Sequence, residues 1–439
     1  SSGQTIDQIK LFGQYPRAFI EMALPETDQR MLDYLRQTLV HAVERACKQN
    51  PGPVHLNFPF RDPLHPQEGV PPVITAAQLE KAATVINRIT EAVPMVPEMD
   101  TVALERMSSH RRGLIVVGDI SPIEGGPEFA QAVAGISEKM GWPVLSDVLN
   151  PLRSHAEALP ALITHYDTIL RDRPAAESLQ PAAVLQVGPL PTSKQLRQWL
   201  KETGAMTFLL SPRPINTDPL HRLATPLLGT VSALAEALQE VDRDVAWSDA
   251  WQEQEGSAKS RIGQALDTEE ALFEGKVARI MSQSVPIGSS VFLASSMSVR
   301  YAESFWTAGN RAVSIFANRG ANGIDGTISS ALGVAHQGVA TFLLSGDLAF
   351  LHDSSALLLL PQFVGSLTIV VINNRGGGIF EHLPVANQPI DFERLFATPQ
   401  EIGISSLCKA HGLAHTLIED WQSFSSEIGK TPLPGVRVL

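Results

Sequence analysis

Two apolar runs in the last third of the chain, each ending at a polar residue, form its clearest structural pattern. Residues 340–345 run up to a Gly-Asp pair that contains Asp347, and residues 367–372 run up to Asn374 in the same way. Short runs rich in branched and aromatic side chains predict buried strands. The Leu-rich stretch 350–362 between them is typical of the helix that links parallel strands. We therefore expect a βαβ unit that places Asp347 and Asn374 at one edge of a parallel sheet.

The predicted strand ends carry the oxygen donors that a hard divalent cation prefers. Asp347 offers a carboxylate, Asn374 a side-chain amide oxygen, and Gly376 a backbone carbonyl in a Gly-rich turn. A cation held by so few protein groups keeps positions for water and phosphate oxygens. The alternative is that a Gly-Asp turn and an Asn-rich turn simply end two strands, and the spacing alone does not decide between the two interpretations.

A similar alternation of apolar runs and helical stretches occupies the middle of the chain. The predicted strands are 114–118, 142–146, 183–188 and 206–210, and the predicted helices include 128–140, 193–201 and part of 240–270. This rhythm indicates an α/β fold with parallel sheets. Because no Gly-x-Gly-x-x-Gly sequence follows a strand, we predict no dinucleotide site there.

The chain is long enough for two or three domains. Its start contains one predicted helix, 29–48, and one predicted strand, 54–58, before a proline-rich linker. These elements are too few for a self-sufficient α/β domain. The predicted domains are 1–74, the end of a first domain with its linker; 75–255, a central Rossmann-like domain; and 256–439, which contains the metal motif.

Composition narrows the class of protein. Of 439 residues, 44% are hydrophobic and 18% are charged, as in globular proteins, and the formal net charge is −12. Nucleic-acid binding is disfavoured, because it needs a basic face. Cys47 and Cys408 lack the spacing of a metal site, and they indicate ordinary thiols of a cytoplasmic protein, although two cysteines can in principle pair. No apolar run is long enough to span a membrane.

Several ordered motifs resemble one enzyme family. Gly346-Asp347 followed by Asn373-Asn374 is similar to the diphosphate-anchoring motif of thiamine-diphosphate enzymes, with Leu348 in place of its third residue. The segments 318–326, 346–353 and 373–380 together resemble the family of 2-succinyl-5-enolpyruvyl-6-hydroxy-3-cyclohexene-1-carboxylate synthases. Segments 4–8 and 52–64 extend the resemblance to the start of the chain.

The resemblance implies α/β domains of the thiamine-diphosphate enzyme type and two cofactors, thiamine diphosphate and Mg²⁺ or Mn²⁺. Asp347, Asn374 and Gly376 match the metal ligands. The residues that match cofactor-binding positions are Ile324, Gly346, Asp347, Leu348, Asn374, Gly376 and Phe380. Ile324 resembles the aliphatic residue under the bent cofactor. Phe380 is expected either in the wall of the site or in the core.

The resemblance also implies substrate-binding residues, which are Gln4, Lys194, Ser296, Arg300 and Arg319. Arginine suits this role, because its planar fork matches the carboxylates of the expected substrates. Ser296 and Arg300 are one helical turn apart and can face the same cavity. The match at Lys194 is weaker, since Gln195 follows where the family often has a second basic residue, and a plain surface lysine is an equal alternative.

The activity implied by the resemblance is decarboxylation of 2-oxoglutarate and 1,4-addition of the succinyl unit to isochorismate, in menaquinone or phylloquinone biosynthesis. The family's active sites lie between subunits, which implies a homodimer or homotetramer. The activating glutamate of the family belongs to a region before the first residue of this chain. We therefore expect a fragment that is shortened at both ends and impaired in turnover on its own.

Three other functions are compatible with parts of the pattern. One is a different thiamine-dependent carboligase or decarboxylase, such as one that makes acetolactate, although Arg319 in its Asn-Arg-Gly turn argues against it. Another is a scaffold that binds the cofactor without catalysis. The third is a nucleotide-binding protein that uses the central α/β region, which the missing glycine motif disfavours.

Overall fold

The computed structural model describes residues 6–47, 51–62, 64–65, 75–78, 80, 99–122, 124–213, 216, 218–321 and 323–439. Contacts divide the chain into two compact units, Ser1–Val96 and Pro97–Leu439. Within the described ranges, no helix has both the length and the apolar character needed to cross a bilayer. The domain boundaries predicted at residues 74 and 255 stay predictions.

The first unit contains a parallel strand pair and one long helix. Strand β1 (Ala18–Glu21) pairs with β2 (Val54–Asn57), and helix α1 (Gln29–Cys47) connects them. The predicted helix and strand of this segment are confirmed to within one residue. Strand β1 was not predicted, since a four-residue run carries little periodic signal.

The second unit begins with a six-stranded parallel sheet in the order β5-β4-β3-β6-β7-β8. Its strands are β3 (Gly113–Val117), β4 (Val144–Ser146), β5 (Leu162–Ile163), β6 (Ala183–Val187), β7 (Met206–Ser211) and β8 (Thr225–Leu228). Its helices are α2 (Thr101–Ser108), α3 (Pro127–Met140), α4 (Tyr166–Ile169), α5 (Arg173–Ser178), α6 (Lys194–Glu202) and α7 (Val231–Ala237). The four strands predicted here are confirmed to within two residues.

A second six-stranded parallel sheet follows the long helix α8 (Val245–Thr268), in the order β10-β9-β11-β12-β14-β13. Its strands are β9 (Ser290–Leu293), β10 (Ser314–Ala317), β11 (Thr341–Gly346), β12 (Ser366–Ile372), β13 (Ala414–His415) and β14 (Gly435–Val438). Its helices are α9 (Glu274–Ser284), α10 (Met297–Phe305), α11 (Thr327–Ala335), α12 (Asp347–His352), α13 (Ile404–Ala410) and α14 (Trp421–Gly429).

Both sheets of the second unit are buried on two faces. Along β3, Leu114 and Val116 contact one apolar cluster, whereas Ile115 and Val117 contact another. In β11, Phe342 and Leu343 point to opposite clusters in the same way. Side chains alternate across a strand, and helices cover both faces, so such strands read as continuous apolar runs. This burial explains why the runs were recognisable from sequence.

The crossover between β11 and β12 differs from its prediction. A single helix over 350–362 was expected, but α12 begins at Asp347, and a 3-10 helix, Ser354–Gln362, follows it. Pro361 lies inside that 3-10 helix and has no N–H to donate, which disfavours an α-helical continuation. Leu358 is 73% exposed, so the Leu-rich run is also not uniformly buried. The prediction was therefore wrong in the type and the start of this element.

Candidate active site

Four neighbouring strands of the second sheet end at one site. Arg319 follows β10, Ser296 follows β9, Asp347 follows β11, and Asn374 follows β12. The strand order reverses at β9, because β10 and β11 are added on opposite sides of it. Open parallel sheets bind ligands at such a switch point, outside the carboxyl ends of the strands.

The predicted neighbourhood of Asp347 and Asn374 is confirmed. Strands β11 and β12 are parallel, and Gly346 lies opposite Ile372 in their register. Asp347 and Asn374 come just after these paired residues, so their side chains lie at the same edge of the sheet. This register depends on the crossover returning β12 beside β11, which the apolar pattern predicted.

A cavity of about 680 Å³ lies at this edge and brings together eleven of the twelve predicted site residues. They are Lys194, Ser296, Arg300, Arg319, Ile324, Gly346, Asp347, Leu348, Asn374, Gly376 and Phe380. The twelfth, Gln4, lies outside the described residues. A larger cavity, of about 760 Å³, lies at the first sheet beside Ile120, Phe129 and Leu209 and holds none of the residues predicted for the site.

Asp347 is the buried carboxylate of the cavity. Asp347 is 3% exposed, and its Oδ1 accepts a hydrogen bond from the Leu348 N–H at 2.8 Å. Burial raises the pKa of Asp347 and the nearby Glu274 charge adds to this effect, although backbone donors, including Gly376, oppose it. The ionised carboxylate is therefore costly in the absence of a cation, and a bound cation would favour it.

Asn374 has a defined partner for its amide nitrogen. Its Nδ2 donates to Glu274 Oε1 at 2.9 Å, and Glu274 is the first residue of α9. Because an ionised carboxylate only accepts hydrogen bonds, this contact assigns the nitrogen branch of the amide to Glu274. The oxygen branch is then left for another partner in the cavity.

The turn after Asn374 requires glycine at consecutive positions. Gly376 has φ +145°, and a Cβ there would lie 2.5 Å from the Ala397 carbonyl oxygen. A Cβ at Gly377 would lie 2.9 Å from the Phe396 carbonyl oxygen. The Gly377 N–H donates to the Ala397 carbonyl at 2.7 Å and anchors the turn. The glycines thus allow the backbone to approach the cavity closely.

The donor set fits a hard divalent cation. A carboxylate, an amide oxygen and a backbone carbonyl are oxygen ligands of the kind that Mg²⁺ and Mn²⁺ take. In the part of the chain that the structure describes, no group of three or more His, Cys, Asp or Glu side chains could hold a metal ion. A site with one carboxylate and two neutral oxygens leaves coordination positions for phosphate oxygens.

We expect Gly376→Ala to weaken binding of Mg²⁺ with thiamine diphosphate by about tenfold or more, since the added methyl group meets a backbone oxygen and forces the turn to shift. Calorimetric titration would measure the change. Gly435→Ala is the matched control, because Gly435 also has positive φ, +105°, but has nothing within 4 Å of an added Cβ. Equal affinities of the two variants would contradict the expectation.

Two guanidinium groups line the same cavity. Arg300 is half-buried on α10, and its Nη1 donates to the Ser296 carbonyl at 2.5 Å, while Ser296 has φ +70° at the start of that helix. Burial lowers the pKa of Arg300, and the like charge of Arg319 lowers it further. Arg319 makes no ion pair within 4 Å among the described residues. Two neighbouring cations of this kind favour an anionic ligand.

Lys194 extends the cationic side of the cavity. It is the first residue of α6, whose preceding Ser193 accepts from the Leu196 N–H at 3.0 Å and donates to Asp167 at 2.5 Å. Lys194 is exposed, and it also lines an adjoining cavity of about 610 Å³, together with Arg300. The structure therefore brings Lys194 to the site, although the sequence left a surface lysine as an equal alternative.

The apolar side of the cavity includes Ile324, Leu348 and Phe380. Phe380 is half-buried and packs edge-on against Phe396, with ring centroids 5.6 Å apart. It thus lies in the cavity wall and contacts the underlying apolar residues at the same time. Apolar surface opposite an oxygen-donor cluster suits a ligand with an organic ring system and a charged end.

Sequence reasoning missed some residues of the cavity. Thr192, Glu274, Met297, Tyr301 and Ile379 also line it. Glu274 stands 73 residues before Asp347 and belongs to no recognisable motif, so only the packing of α9 against the sheet brings it there. Tyr301 follows Arg300 directly. This neighbourhood was the only feature of the sequence that could have pointed to Tyr301 as a site residue.

Known proteins resemble this chain over its whole length. A family model described as "Middle domain of thiamine pyrophosphate" matches residues 88–293. The 2-succinyl-5-enolpyruvyl-6-hydroxy-3-cyclohexene-1-carboxylate synthase of Trichodesmium erythraeum is 40% identical over 444 residues, which cover all of this chain and 76% of that protein. Synthases of the same name from Nostoc sp. and Synechococcus sp. are each 41% identical, with all of this chain and 75% of each relative covered.

The sequence identity to these synthases runs through both units of the chain. The thiamine pyrophosphate family model matches the region that contains the six-stranded sheet of β3 to β8. Three of the motifs that carry the resemblance, in segments 318–326, 346–353 and 373–380, contribute residues to one cavity at the carboxyl edge of the sheet that contains β11 and β12. The chain belongs to the family of 2-succinyl-5-enolpyruvyl-6-hydroxy-3-cyclohexene-1-carboxylate synthases, which are thiamine-diphosphate-dependent enzymes.

Proposed function

We propose that this protein decarboxylates 2-oxoglutarate and adds the succinyl unit to isochorismate in a 1,4 sense, which forms the product named in its family. This step belongs to menaquinone and phylloquinone biosynthesis. The observation that carries the proposal is a single cavity where an oxygen-donor cluster at the ends of β11 and β12 lies near the cationic groups of Arg300, Arg319 and Lys194. Such a cavity can hold a diphosphate-metal group beside anionic substrates.

The metal, Mg²⁺ or Mn²⁺, would be held by Asp347, Asn374 and the carbonyl of Gly376, and it would neutralise the charge of the diphosphate of thiamine diphosphate. Gly346 would border the cofactor at the end of β11, and Ile324, Leu348 and Phe380 would contact its organic part. When bound, thiamine diphosphate supplies the electron sink that allows a 2-oxo acid to lose carbon dioxide. The residues of the chain position the reacting groups.

The substrate carboxylates would bind to Arg300, Arg319 and Lys194, with Ser296 and Gln4 as further polar contacts. Both 2-oxoglutarate and isochorismate carry two carboxylates. Burial lowers the pKa of Arg300 and the like charge of Arg319 lowers it further, so the two guanidinium groups repel each other in the absence of an anion. A bound carboxylate removes this cost, so these residues are arranged for anionic substrates rather than for neutral ones.

A substrate comparison tests the proposed reaction. The full-length protein would be supplied with Mg²⁺ and thiamine diphosphate, and carbon dioxide release and ring products would be measured by mass spectrometry. Consumption of 2-oxoglutarate with formation of the succinylated ring product is expected only when isochorismate is present. Turnover of pyruvate without use of 2-oxoglutarate would overturn the proposal in favour of an acetolactate-type carboligase.

Replacing Arg319 by Gln is expected to raise the KM for an anionic substrate by about 10-fold to 100-fold, because a charge-assisted contact worth about 1.5–3 kcal/mol is lost. The steady-state KM for 2-oxoglutarate and for isochorismate would show which substrate this residue binds. Arg394→Gln serves as the control, since Arg394 is 74% exposed and pairs only with Asp391 among the described residues. Unchanged KM values for both substrates in Arg319→Gln would contradict the assignment.

The assembly and the location of the protein are also proposals. We expect a cytoplasmic homodimer or homotetramer with active sites between subunits, as the family resemblance implies. Light scattering of the purified full-length protein would determine the mass of the assembly. A monomer that turns over both substrates would exclude a shared active site.

A further inference from the structure

Glu274 is an acidic residue of the cavity that no recognised motif contains. It is half-buried at the first position of α9, and its Oε1 accepts the Asn374 Nδ2–H at 2.9 Å. The Tyr301 hydroxyl also hydrogen-bonds to the Glu274 carboxylate, and these contacts raise the pKa of Tyr301 in addition to the effect of burial. Glu274 therefore connects residues from two other elements, the end of β12 and helix α10.

We infer that Glu274 is a positioning residue, which holds the Asn374 side chain with its amide oxygen available to the metal and its amide nitrogen turned away. The inference rests on the proposed function, since it assumes that Asn374 is a metal ligand. It adds a role for a residue outside the motif that Asp347, Asn374 and Gly376 define.

The physical reason is the near-symmetry of the amide group. An asparagine amide has almost the same shape in either of two orientations, but only the oxygen can coordinate a cation. A partner that could both donate and accept would tolerate either orientation. An ionised carboxylate accepts only, so Glu274 stabilises the orientation in which Nδ2 points toward it.

Glu274 is itself held in place. Tyr301 packs against Phe273 and Phe305, with ring centroids 6.4 Å and 6.5 Å apart, and Phe273 directly precedes Glu274. A side chain with fixed neighbours loses less conformational entropy when it orients a ligand. Through Tyr301, the same carboxylate also links the metal side of the cavity to the helix that carries Arg300.

A purely electrostatic role is the competing explanation. Glu274 lies close enough to Asp347 for its charge to contribute to the raised pKa of that carboxyl group. A second negative charge would attract a cation whatever the orientation of Asn374. The two explanations differ in what they predict for aspartate at position 274, which keeps the negative charge but is one methylene too short to keep the contact to Asn374.

The test measures binding of Mn²⁺ in the presence of thiamine diphosphate by electron paramagnetic resonance. We expect Glu274→Ala and Glu274→Asp each to raise the Mn²⁺ dissociation constant about tenfold or more, because both lose the contact to Asn374. Tyr301→Phe removes the hydroxyl partner of Glu274 and keeps the contact to Asn374, so its effect is expected to be smaller. Near-normal binding by Glu274→Asp, together with weak binding by Glu274→Ala, would overturn orientation in favour of charge.

A double variant provides an independent readout. Asn374→Asp places a carboxylate opposite Glu274, and like charges at this distance repel each other. Glu274→Gln is therefore expected to strengthen Mn²⁺ binding in the Asn374→Asp background, although it does not strengthen it in the unaltered protein. Absence of this rescue would show that residues 274 and 374 do not face each other, and it would overturn the inference.

The failure of this inference is distinguishable from the failure of the proposed function. If the unaltered protein binds Mn²⁺ only with thiamine diphosphate and Glu274→Ala binds equally well, only the role of Glu274 is wrong. If the unaltered protein shows no such binding, the metal site at Asp347 and Asn374 is wrong as well, and the proposed function is overturned with it.

Discussion

Replacing Asp347 by Ala is expected to weaken metal-dependent binding of thiamine diphosphate by about 100-fold or more, equal to about 2.7 kcal/mol. Asp347 is the buried carboxylate at the end of β11, and neutral oxygens alone bind Mg²⁺ poorly. Calorimetric titration of thiamine diphosphate with and without Mg²⁺ would measure the loss.

The same substitution is not expected to unfold the protein. Burial raises the pKa of Asp347, which means that the ionised carboxylate is destabilised in the metal-free fold, so its removal costs little there. Thermal unfolding of metal-free protein would check this. Asp391→Ala is the control, because Asp391 is 54% exposed and pairs at the surface with Arg394. Binding that Asp347→Ala leaves unchanged would rule out the proposed metal site.

Arg153→Met is expected to lower the free energy of unfolding by about 3–5 kcal/mol at pH 9, above the pKa of Glu303, because there it breaks a buried ion pair on one side only. Arg153 and Glu303 are 1% and 3% exposed, and Nη2 lies 3.1 Å from Glu303 Oε2. Arg153 also donates to the carbonyls of Ser146 and Glu303, at 2.9 Å and 3.0 Å. Denaturant titration would measure the loss of stability.

Glu303 is held by two further donors, which remain in the Arg153 variant. The Val148 N–H donates to its Oε2 at 2.7 Å, and the Tyr166 hydroxyl donates to its Oε1. Val148 and Tyr166 belong to the part of the chain that forms the sheet of β3 to β8. Glu303 instead lies on α10, the helix that carries Arg300. We therefore expect Arg153→Met to weaken substrate binding too, through the position of α10.

The effect of Arg153→Met is also expected to depend on pH. Burial raises the pKa of Glu303 to about 8, although Arg153 opposes this effect, so the folded state keeps a proton that the unfolded state loses near its ordinary value. The protonated Glu303 carboxyl therefore contributes to the free energy of unfolding at low pH, and this contribution is lost as pH rises toward 8. Without Arg153 the pKa rises further, and the loss continues above pH 8.

The destabilisation by Arg153→Met should accordingly be larger at pH 9 than at pH 7, by at most about 1.4 kcal/mol per pH unit for one proton. Arg394→Met is the control, and it is expected to change stability by less than about 1 kcal/mol at either pH, because its ion pair is exposed. A smaller effect of Arg153→Met at pH 9 than at pH 7 would refute the role assigned to Glu303.

Much of the fold could be predicted from the sequence, because buried parallel strands are continuous apolar runs. The strands that end at Val117, Val187 and Gly346 were recognised for this reason. The short strands β9 and β10 were missed, since four residues carry too little pattern. The crossover after Asp347 was misjudged, because the Leu-rich run suggested one helix, whereas the α-helix ends at His352 and a 3-10 helix that contains Pro361 follows it.

The residues of the candidate site were also predictable only in part. Asp347, Asn374 and Gly376 were recognisable because turn residues and oxygen donors follow apolar runs at a characteristic spacing. Arg300 and Arg319 were identified from their resemblance to the family, and the order of β10, β9 and β11 explains why they share a cavity with Asp347. The orientation of the Asn374 amide and the presence of Glu274 beside it were not predictable.

Local residue patterns were enough to predict the α/β class, the strands with long apolar runs, and the chemical groups at their ends, because these depend on residues that are close in the chain. The folded chain establishes which strand ends are neighbours, which acid faces Asn374, and how Arg153 and Glu303 pair across 150 residues. Those contacts depend on sheet order and helix packing, which local patterns do not specify.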